Sequence, residues 1–130
     1  MADVEAISAD VVDAAIRIHR ELGPGLLESV YEIVLAAALV RKGYRVTRQV
    51  PVDIAYDGMS FPAAFRVDVM VQDCFPIEIK SVEKLSPAHA KQLLTYLRLL
   101  KQPLGLLLNF SGETMKEGIR RLVNDHRPTR

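Results

Sequence analysis

The sequence predicts an α/β domain with a mixed four-stranded sheet flanked by helices. Helical and strand periodicities follow one another in the order α-α-β-β-β-α-β-α. An Asp57-Gly58 pair separates two alternating segments, which is typical of a tight β-hairpin. A helical segment between the third and fourth strands would carry the chain across the sheet to bring in the last strand, which makes the sheet mixed.

The chain opens with two amphipathic helical patterns. Ser8 is expected to cap a helix that runs to about residue 22. Gly23-Pro24-Gly25 is expected to end that helix, because glycine suits a left-handed cap and proline cannot continue a helix. A second helix is expected over residues 26–42 and ends at Gly43.

Three strand patterns and then a helix-strand-helix pattern follow. The strands are expected over residues 44–56, 61–71 and 75–82, since apolar residues recur there with period two. Ser86-Pro87 predicts a helix start, and this helix should reach about residue 100. The remaining expectations are a strand buried on both faces at 104–110, a C-terminal helix at 114–124 and a frayed tail after residue 125.

Composition indicates a globular chain, and we expect a single domain over residues 1–130 with its core at about 8–124. The net charge of +1 excludes a polycation, so nucleic acid would have to bind through a local patch. The single cysteine, Cys74, excludes an internal disulfide and a cysteine zinc cluster within one chain, which favours a reducing cytoplasm. Neither a signal peptide nor a membrane-spanning segment is expected.

Asp68, Glu78 and Lys80 are the first candidates for chemistry. Glu78 and Lys80 are two residues apart and share one strand face, and a hairpin could bring Asp68 beside them. Carboxylates suit a hard divalent cation such as Mg²⁺, and a lysine beside it can hold a water molecule or screen a phosphate. On spacing alone, a cross-strand ion pair on a solvated strand face explains the same residues better.

Polar residues on two helices could complete such a site. His89, Gln92 and Tyr96 share one face of their helix, and they either face the carboxylates or form an ordinary boundary strip. In Gly25-x-x-Glu28-x-x-Tyr31, Glu28 could add a carboxylate to the cluster, although the helix dipole alone explains a glutamate in a first turn.

A basic run lies where the second helix meets the first strand. It could contact a phosphate backbone, but solvated surface is the default interpretation of such a run. Its members are Arg41, Lys42, Arg45 and Arg48.

Taken together, these motifs resemble the PD-(D/E)xK nuclease superfamily. More narrowly, residues 25–31 are similar to the signature of the GxxExxY family, and the similarity covers roughly residues 8–124. Val67 stands where the superfamily motif often has proline. The further matching segments are 48–52, 65–68, 77–82, 89–97 and 105–110.

The resemblance implies a restriction-endonuclease-like core of order αβββαβ, with additional N-terminal and C-terminal helices. It also implies a metal-dependent nuclease using Mg²⁺ or Mn²⁺. By similarity, Asp68, Glu78 and the backbone carbonyl of Ile79 would bind the metal, and Lys80 would position the attacking water. Glu28 and Gln92 would complete the site, with Glu28 as a further metal ligand and with support from Tyr31, His89 and Tyr96.

Three functions stay open at this stage. The first is hydrolysis of phosphodiester bonds in DNA, or in RNA, by an endonuclease or an exonuclease. The second is a catalytically silent module of the same fold that binds nucleic acid or protein, which the near-zero net charge favours. The third is a subunit of a defence or repair complex. A homodimer is expected if both strands of a duplex are cut, because that commonly takes two active sites.

Overall fold

The computed structural model describes residues 3–125, which form three α-helices and one five-stranded sheet. A short 3-10 helix at Lys116–Gly118 precedes the last strand. The other elements, in chain order, are α1 Val4–Leu22, α2 Glu28–Arg41, β1 Val46–Tyr56, β2 Met59–Val71, β3 Phe75–Lys80, α3 Pro87–Leu100, β4 Leu104–Asn109 and β5 Ile119–Val123.

The sheet has the strand order β1-β2-β3-β4-β5 and is mixed, as predicted. All neighbouring strands are antiparallel except β3 and β4, which are parallel because α3 returns the chain to the starting edge. The β1–β2 hairpin turns at Asp57 and Gly58, both with positive φ (51° and 74°), the conformation that a two-residue turn of this kind requires. The predicted hairpin is confirmed.

The predicted C-terminal helix is wrong, because residues 119–123 form the fifth strand. Ile119 pairs with Leu108, so β5 covers the edge that β4 would otherwise leave open. Arg121 reaches back to Glu5 of α1, with Nη2 2.6 Å from Oε2. The spacing of apolar residues in this short segment fits a helix as well as a strand, and tertiary pairing with β4 decides between them. The tail after residue 125 lies outside the described residues.

Of the two predicted capping residues, Ser8 is wrong and Ser86 is confirmed. Asp3, not Ser8, caps α1: its Oδ1 accepts from the amides of Glu5 and Ala6 at 3.0 and 3.1 Å. Ser8 is buried one turn further on, because the helix begins earlier than the apolar periodicity alone indicates. The Ser86 cap of α3 is confirmed by a capping box with His89.

The two faces of the sheet are covered by different helices. Helices α1 and α2 bury the main hydrophobic core, which includes Ile77, Ile79 and Leu106. Helix α3 lies against the opposite face at Gly105, where a Cβ atom would lie 3.2 Å from Cδ2 of Leu97. Since side chains alternate along a strand, Glu78 and Lys80 lie on the same side of the sheet as α3. No helix of residues 3–125 is long and apolar enough to cross a membrane.

Candidate active site

The structure brings Asp68 and Glu78 together across β2 and β3. The Asp68 amide donates to Oε1 of Glu78 at 3.3 Å, and the Ile79 amide donates to Oδ2 of Asp68 at 2.8 Å. The neighbouring pair Val69–Ile77 sets this register. Two carboxylates therefore lie side by side at the centre of the sheet.

Glu78 is buried and forms no ion pair with the residues that the structure describes. Only 5% of the residue is exposed. Burial and, to a smaller extent, the nearby charge of Asp68 raise the pKa of Glu78 from 4.5 to about 8, and Lys80 lowers it only slightly. A carboxyl group in this position binds either a proton or a cation.

Lys80 and Tyr96 lie close to this carboxylate pair. Lys80 is half-buried and forms no ion pair with any residue in the range 3–125. The ring of Tyr96 stacks on Phe65 with centroids 4.1 Å apart. Burial raises the pKa of Tyr96, and the charges of Glu78 and Asp68 add to that effect. Helix α3 thus brings a phenol to the carboxylates.

Two other polar residues of α3 are placed differently from one another. Gln92 lies one turn before Tyr96 and is exposed, and its side chain forms no hydrogen bond within the part of the chain that the structure describes. Its carboxamide is therefore available to a ligand. His89 Nδ1 instead accepts from the Ser86 amide at 3.1 Å, so this histidine helps to cap the helix.

Glu28 joins α2 to the end of β3. Its Oε2 accepts from the Ser81 amide at 2.9 Å, one residue after Lys80. The Ser81 hydroxyl donates to the Leu26 carbonyl at 3.3 Å. Glu28 and Asp68 line one cleft of about 320 Å³. The upstream glutamate thus lies on the rim of the site rather than within the carboxylate pair.

Tyr31 supports the site from a distance. Its side chain is fully buried and stacks on Phe110 with centroids 4.3 Å apart. Its hydroxyl donates to the Gly23 carbonyl at 2.5 Å and accepts from the Leu26 amide at 3.2 Å. Tyr31 therefore fixes the Gly-Pro-Gly loop from which Glu28 emerges.

Sequence reasoning missed Glu32 and gave Gln49 no role. Glu32 is 5% exposed, and its Oε2 accepts from Nη2 and Nε of Arg48 at 2.7 and 3.0 Å. Gln49 donates through Nε2 to Oε1 of Glu32 at 2.6 Å and, more weakly, to Oδ1 of Asp68 at 3.4 Å. The feature of the sequence that could have identified Glu32 is its position four residues after Glu28, on the same helix face.

The basic run is largely occupied by ion pairs. Lys42 lies 3.4 Å from Asp10, and Arg45 lies 2.9 Å from Asp73. With Arg48 held by Glu32, Arg41 alone of the four forms no ion pair within residues 3–125. The surface offered to a phosphate backbone is therefore smaller than the sequence suggests.

The donor set fits a hard divalent cation. Within the described residues no group of three or more histidine, cysteine, aspartate and glutamate side chains converges as a metal cage. Mg²⁺ commonly takes one or two carboxylates and fills its remaining positions with water and phosphate oxygens. Asp68 and Glu78 are two such carboxylates, and burial and the nearby charge of Asp68 raise the pKa of Glu78, so a bound cation would relieve an unfavourable charge there.

Comparison with known proteins identifies the family of the chain. Among solved structures, the crystal structure of SSO0001 is similar, with a TM-score of 0.49 and 22% identity, over 91% of this chain and 66% of that chain. No curated protein matches the chain. The model of the PD-(D/E)XK nuclease superfamily matches residues 5–122. Because that match spans almost the whole chain, the chain belongs to the PD-(D/E)XK nuclease superfamily.

Proposed function

We propose that the chain is a nuclease that hydrolyses phosphodiester bonds of DNA with Mg²⁺ or Mn²⁺, and that RNA is the alternative substrate. The observation that carries the proposal is the buried Glu78 beside Asp68, with Lys80 on the same strand face. Such a pair is unfavourable in a purely structural role, because two adjacent carboxylates cannot both ionise cheaply without a cation. We also propose that the chain works in a reducing cytoplasm and that it belongs to the narrower GxxExxY family.

Asp68, Glu78 and the backbone carbonyl of Ile79 would hold the cation. A divalent cation bound there would neutralise charge on the phosphate and lower the pKa of a bound water molecule. Lys80 would orient that water by donating a hydrogen bond to it and would stabilise the phosphate through its charge. Neither role competes with an existing ion pair of Lys80 in residues 3–125.

The flanking helices would position the substrate. The free carboxamide of Gln92 would hydrogen-bond a water or a phosphate oxygen, and Tyr96 would limit the space above the carboxylates. Glu28 would hold the end of β3 through the Ser81 amide and so fix Lys80, its neighbour in the chain. His89 and Tyr31 would act only by stabilising the helix and loop that carry these groups.

Cleavage by purified variants tests the proposal. Supercoiled plasmid, single-stranded DNA and RNA would be incubated with the protein and either Mg²⁺ or Mn²⁺. We expect Asp68→Asn and Lys80→Ala each to lower the cleavage rate by about a thousandfold. Asp13→Asn and Lys91→Ala, which alter exposed residues of α1 and α3, are the matched controls. Absence of metal-dependent cleavage, or equal rates in all variants, would refute it.

A catalytically silent binding module is the second candidate. The ion pairs of Lys42, Arg45 and Arg48 favour a silent module that binds protein, because they occupy three of the four cations of the basic run. Calorimetric titration with Mn²⁺ separates the two. If the chain is a nuclease, we expect it to bind Mn²⁺ and we expect Asp68→Asn to abolish that binding. Affinity for nucleic acid or protein with no such metal binding would favour the silent module, including its use as a subunit of a defence or repair complex.

A further inference from the structure

Helix α2 exposes an apolar surface that nothing in residues 3–125 covers. Between Ser29 and Arg41 every exposed side chain of this helix is apolar. The exposed fractions are 51% for Ile33 and 54% for Val40. The complete set is Val30, Ile33, Ala37 and Val40, which we call the α2 seam.

The contrast with α1 shows that such a surface is unusual in this molecule. The exposed positions of α1 include Asp13, Arg17 and Arg20, which is the ordinary pattern of a helix that faces water. Apart from the buried ion pair of Glu32, helix α2 is apolar on its buried side and, between Ser29 and Arg41, on its exposed side, as expected of a helix enclosed in an assembly. The segment before α2 also exposes large apolar side chains, namely Leu22, Leu26 and Leu27.

The spacing of the α2 seam favours a helix as its partner. Its members follow one another at intervals of three, four and three residues, which is the a/d pattern of a coiled-coil seam. A pattern this narrow buries itself against one other helix rather than against a broad sheet.

The seam is complementary to itself in the antiparallel orientation. If two copies of α2 pack about a twofold axis between Ile33 and Ala37, each Ile33 meets the small Ala37 of the other copy, and Val30 meets Val40. The large Ile33 then faces a small residue and the two valines match in size, which permits close packing. The same pairing is made twice, as a twofold axis requires.

Charge favours the same orientation. Glu28 lies in the first turn of α2 and Arg41 in the last turn. Antiparallel packing brings Arg41 of each copy near Glu28 of the other and opposes the two helix dipoles. A parallel pair would place like charges together at both ends.

We propose that the α2 seam is the interface of a homodimer in which two α2 helices pack antiparallel. Because Glu28 lines the cleft with Asp68, each copy would bring Arg41 to the rim of the other copy's cleft. The interface does not depend on the proposed nuclease activity, so the two can fail separately. Arg41, which forms no ion pair within residues 3–125, would thereby lie beside the candidate active site.

Sedimentation velocity over a concentration series, together with one exposed-residue variant and a matched control, tests the interface. We expect the wild-type chain to dimerise. Ile33→Glu should weaken the dimer by at least about a hundredfold, because both copies lose an apolar contact and gain a charge at the axis. Leu99→Glu on α3, where the residue is 46% exposed, should leave the dimer intact. A monomer at every concentration, or a dimer insensitive to Ile33→Glu, would overturn the proposal.

Cross-linking tests the orientation. In a Cys74→Ser background, Val30→Cys and Val40→Cys chains would be mixed under oxidising conditions. The antiparallel seam predicts a disulfide between the two different variants and little between identical ones. Disulfides that form mainly between identical variants would indicate parallel packing and overturn the model.

Discussion

Two buried glutamates near the same cleft have very different neighbouring groups. Glu32 and Glu78 are each 5% exposed. Glu32 is neutralised by Arg48 at 2.7 Å and also accepts a hydrogen bond from Gln49. Glu78 faces a second carboxylate, Asp68, and the hydrogen bond that it accepts from the Asp68 amide is long, at 3.3 Å.

The difference separates a carboxylate that supports the structure from one kept for a ligand. A buried charge with a bidentate cationic partner is satisfied within the protein, so nothing further needs to bind. A buried carboxylate beside another carboxylate destabilises the folded chain until a proton or a cation neutralises it. The residue that costs stability is therefore the stronger candidate for function.

The largest effect should come from neutralising Glu78. Its pKa of about 8 lies above the ordinary value of 4.5, so the folded chain keeps a proton that the unfolded chain releases. In the absence of metal, the free energy of unfolding should fall by roughly 4 kcal/mol as pH rises from about 4.5 to about 8, and level off above that. Glu78→Gln should remove this decline, as measured by urea unfolding with a chelator present.

Exposed Glu83 provides the control for that experiment. Glu83→Gln should leave the pH dependence as it is in the wild type, because the group is solvated in both states. If Glu78→Gln unfolds with the same pH dependence as wild type, the contrast between the two buried glutamates does not hold.

The next effect should be stabilisation by divalent cations. At one hundred times the dissociation constant, Mn²⁺ should raise the free energy of unfolding by about 2.7 kcal/mol through mass action. Asp68→Asn should abolish this gain, whereas Asp13→Asn should keep it. Thermal unfolding over a series of Mn²⁺ concentrations measures it, and an equal gain in both variants would show that the cation binds elsewhere.

The elements that sequence alone identified are those with strong local signals. The Asp57-Gly58 turn, the Ser86 cap and the almost wholly apolar β4 each follow from residues close in the chain. The segment at 119–123 does not, because its strand state depends on pairing with an edge more than ten residues earlier in the chain. Local periodicity in five residues cannot outweigh that contact.

The candidate site was predictable to a similar extent. Strand periodicity placed Glu78 and Lys80 on one face, and a hairpin supplied Asp68. Glu32 and Gln49 could not be recognised in this way, since each gains meaning only where α2 packs against the start of β1. The left-handed backbone of Gln49, with φ of 53°, likewise has no signature in the sequence.

Removing Glu32, whose charge is neutralised by Arg48, should destabilise the chain, in contrast to replacing Glu78. Glu32→Ala leaves Arg48 and Gln49 without their acceptor and should lower the free energy of unfolding by about 2 kcal/mol, a value reduced because Arg48 is partly exposed. Urea unfolding at neutral pH measures this. Arg48→Ala and the double variant complete a cycle, and additive effects would mean that the pair is not coupled.

The smallest effect should come from Gln49, which links the two carboxylate clusters. Gln49→Asn keeps a carboxamide and tolerates the left-handed backbone, but it is one methylene too short to reach Glu32 and Asp68 together. Because asparagine adopts this backbone at least as readily as glutamine, no added strain contributes to the expected loss of about 1 kcal/mol in unfolding free energy, which reflects the lost hydrogen bonds. If Gln49 also positions Asp68, Mn²⁺ affinity measured by calorimetry should fall severalfold. A stability loss with unchanged affinity would confine Gln49 to the structural cluster of Glu32 and would separate the two clusters.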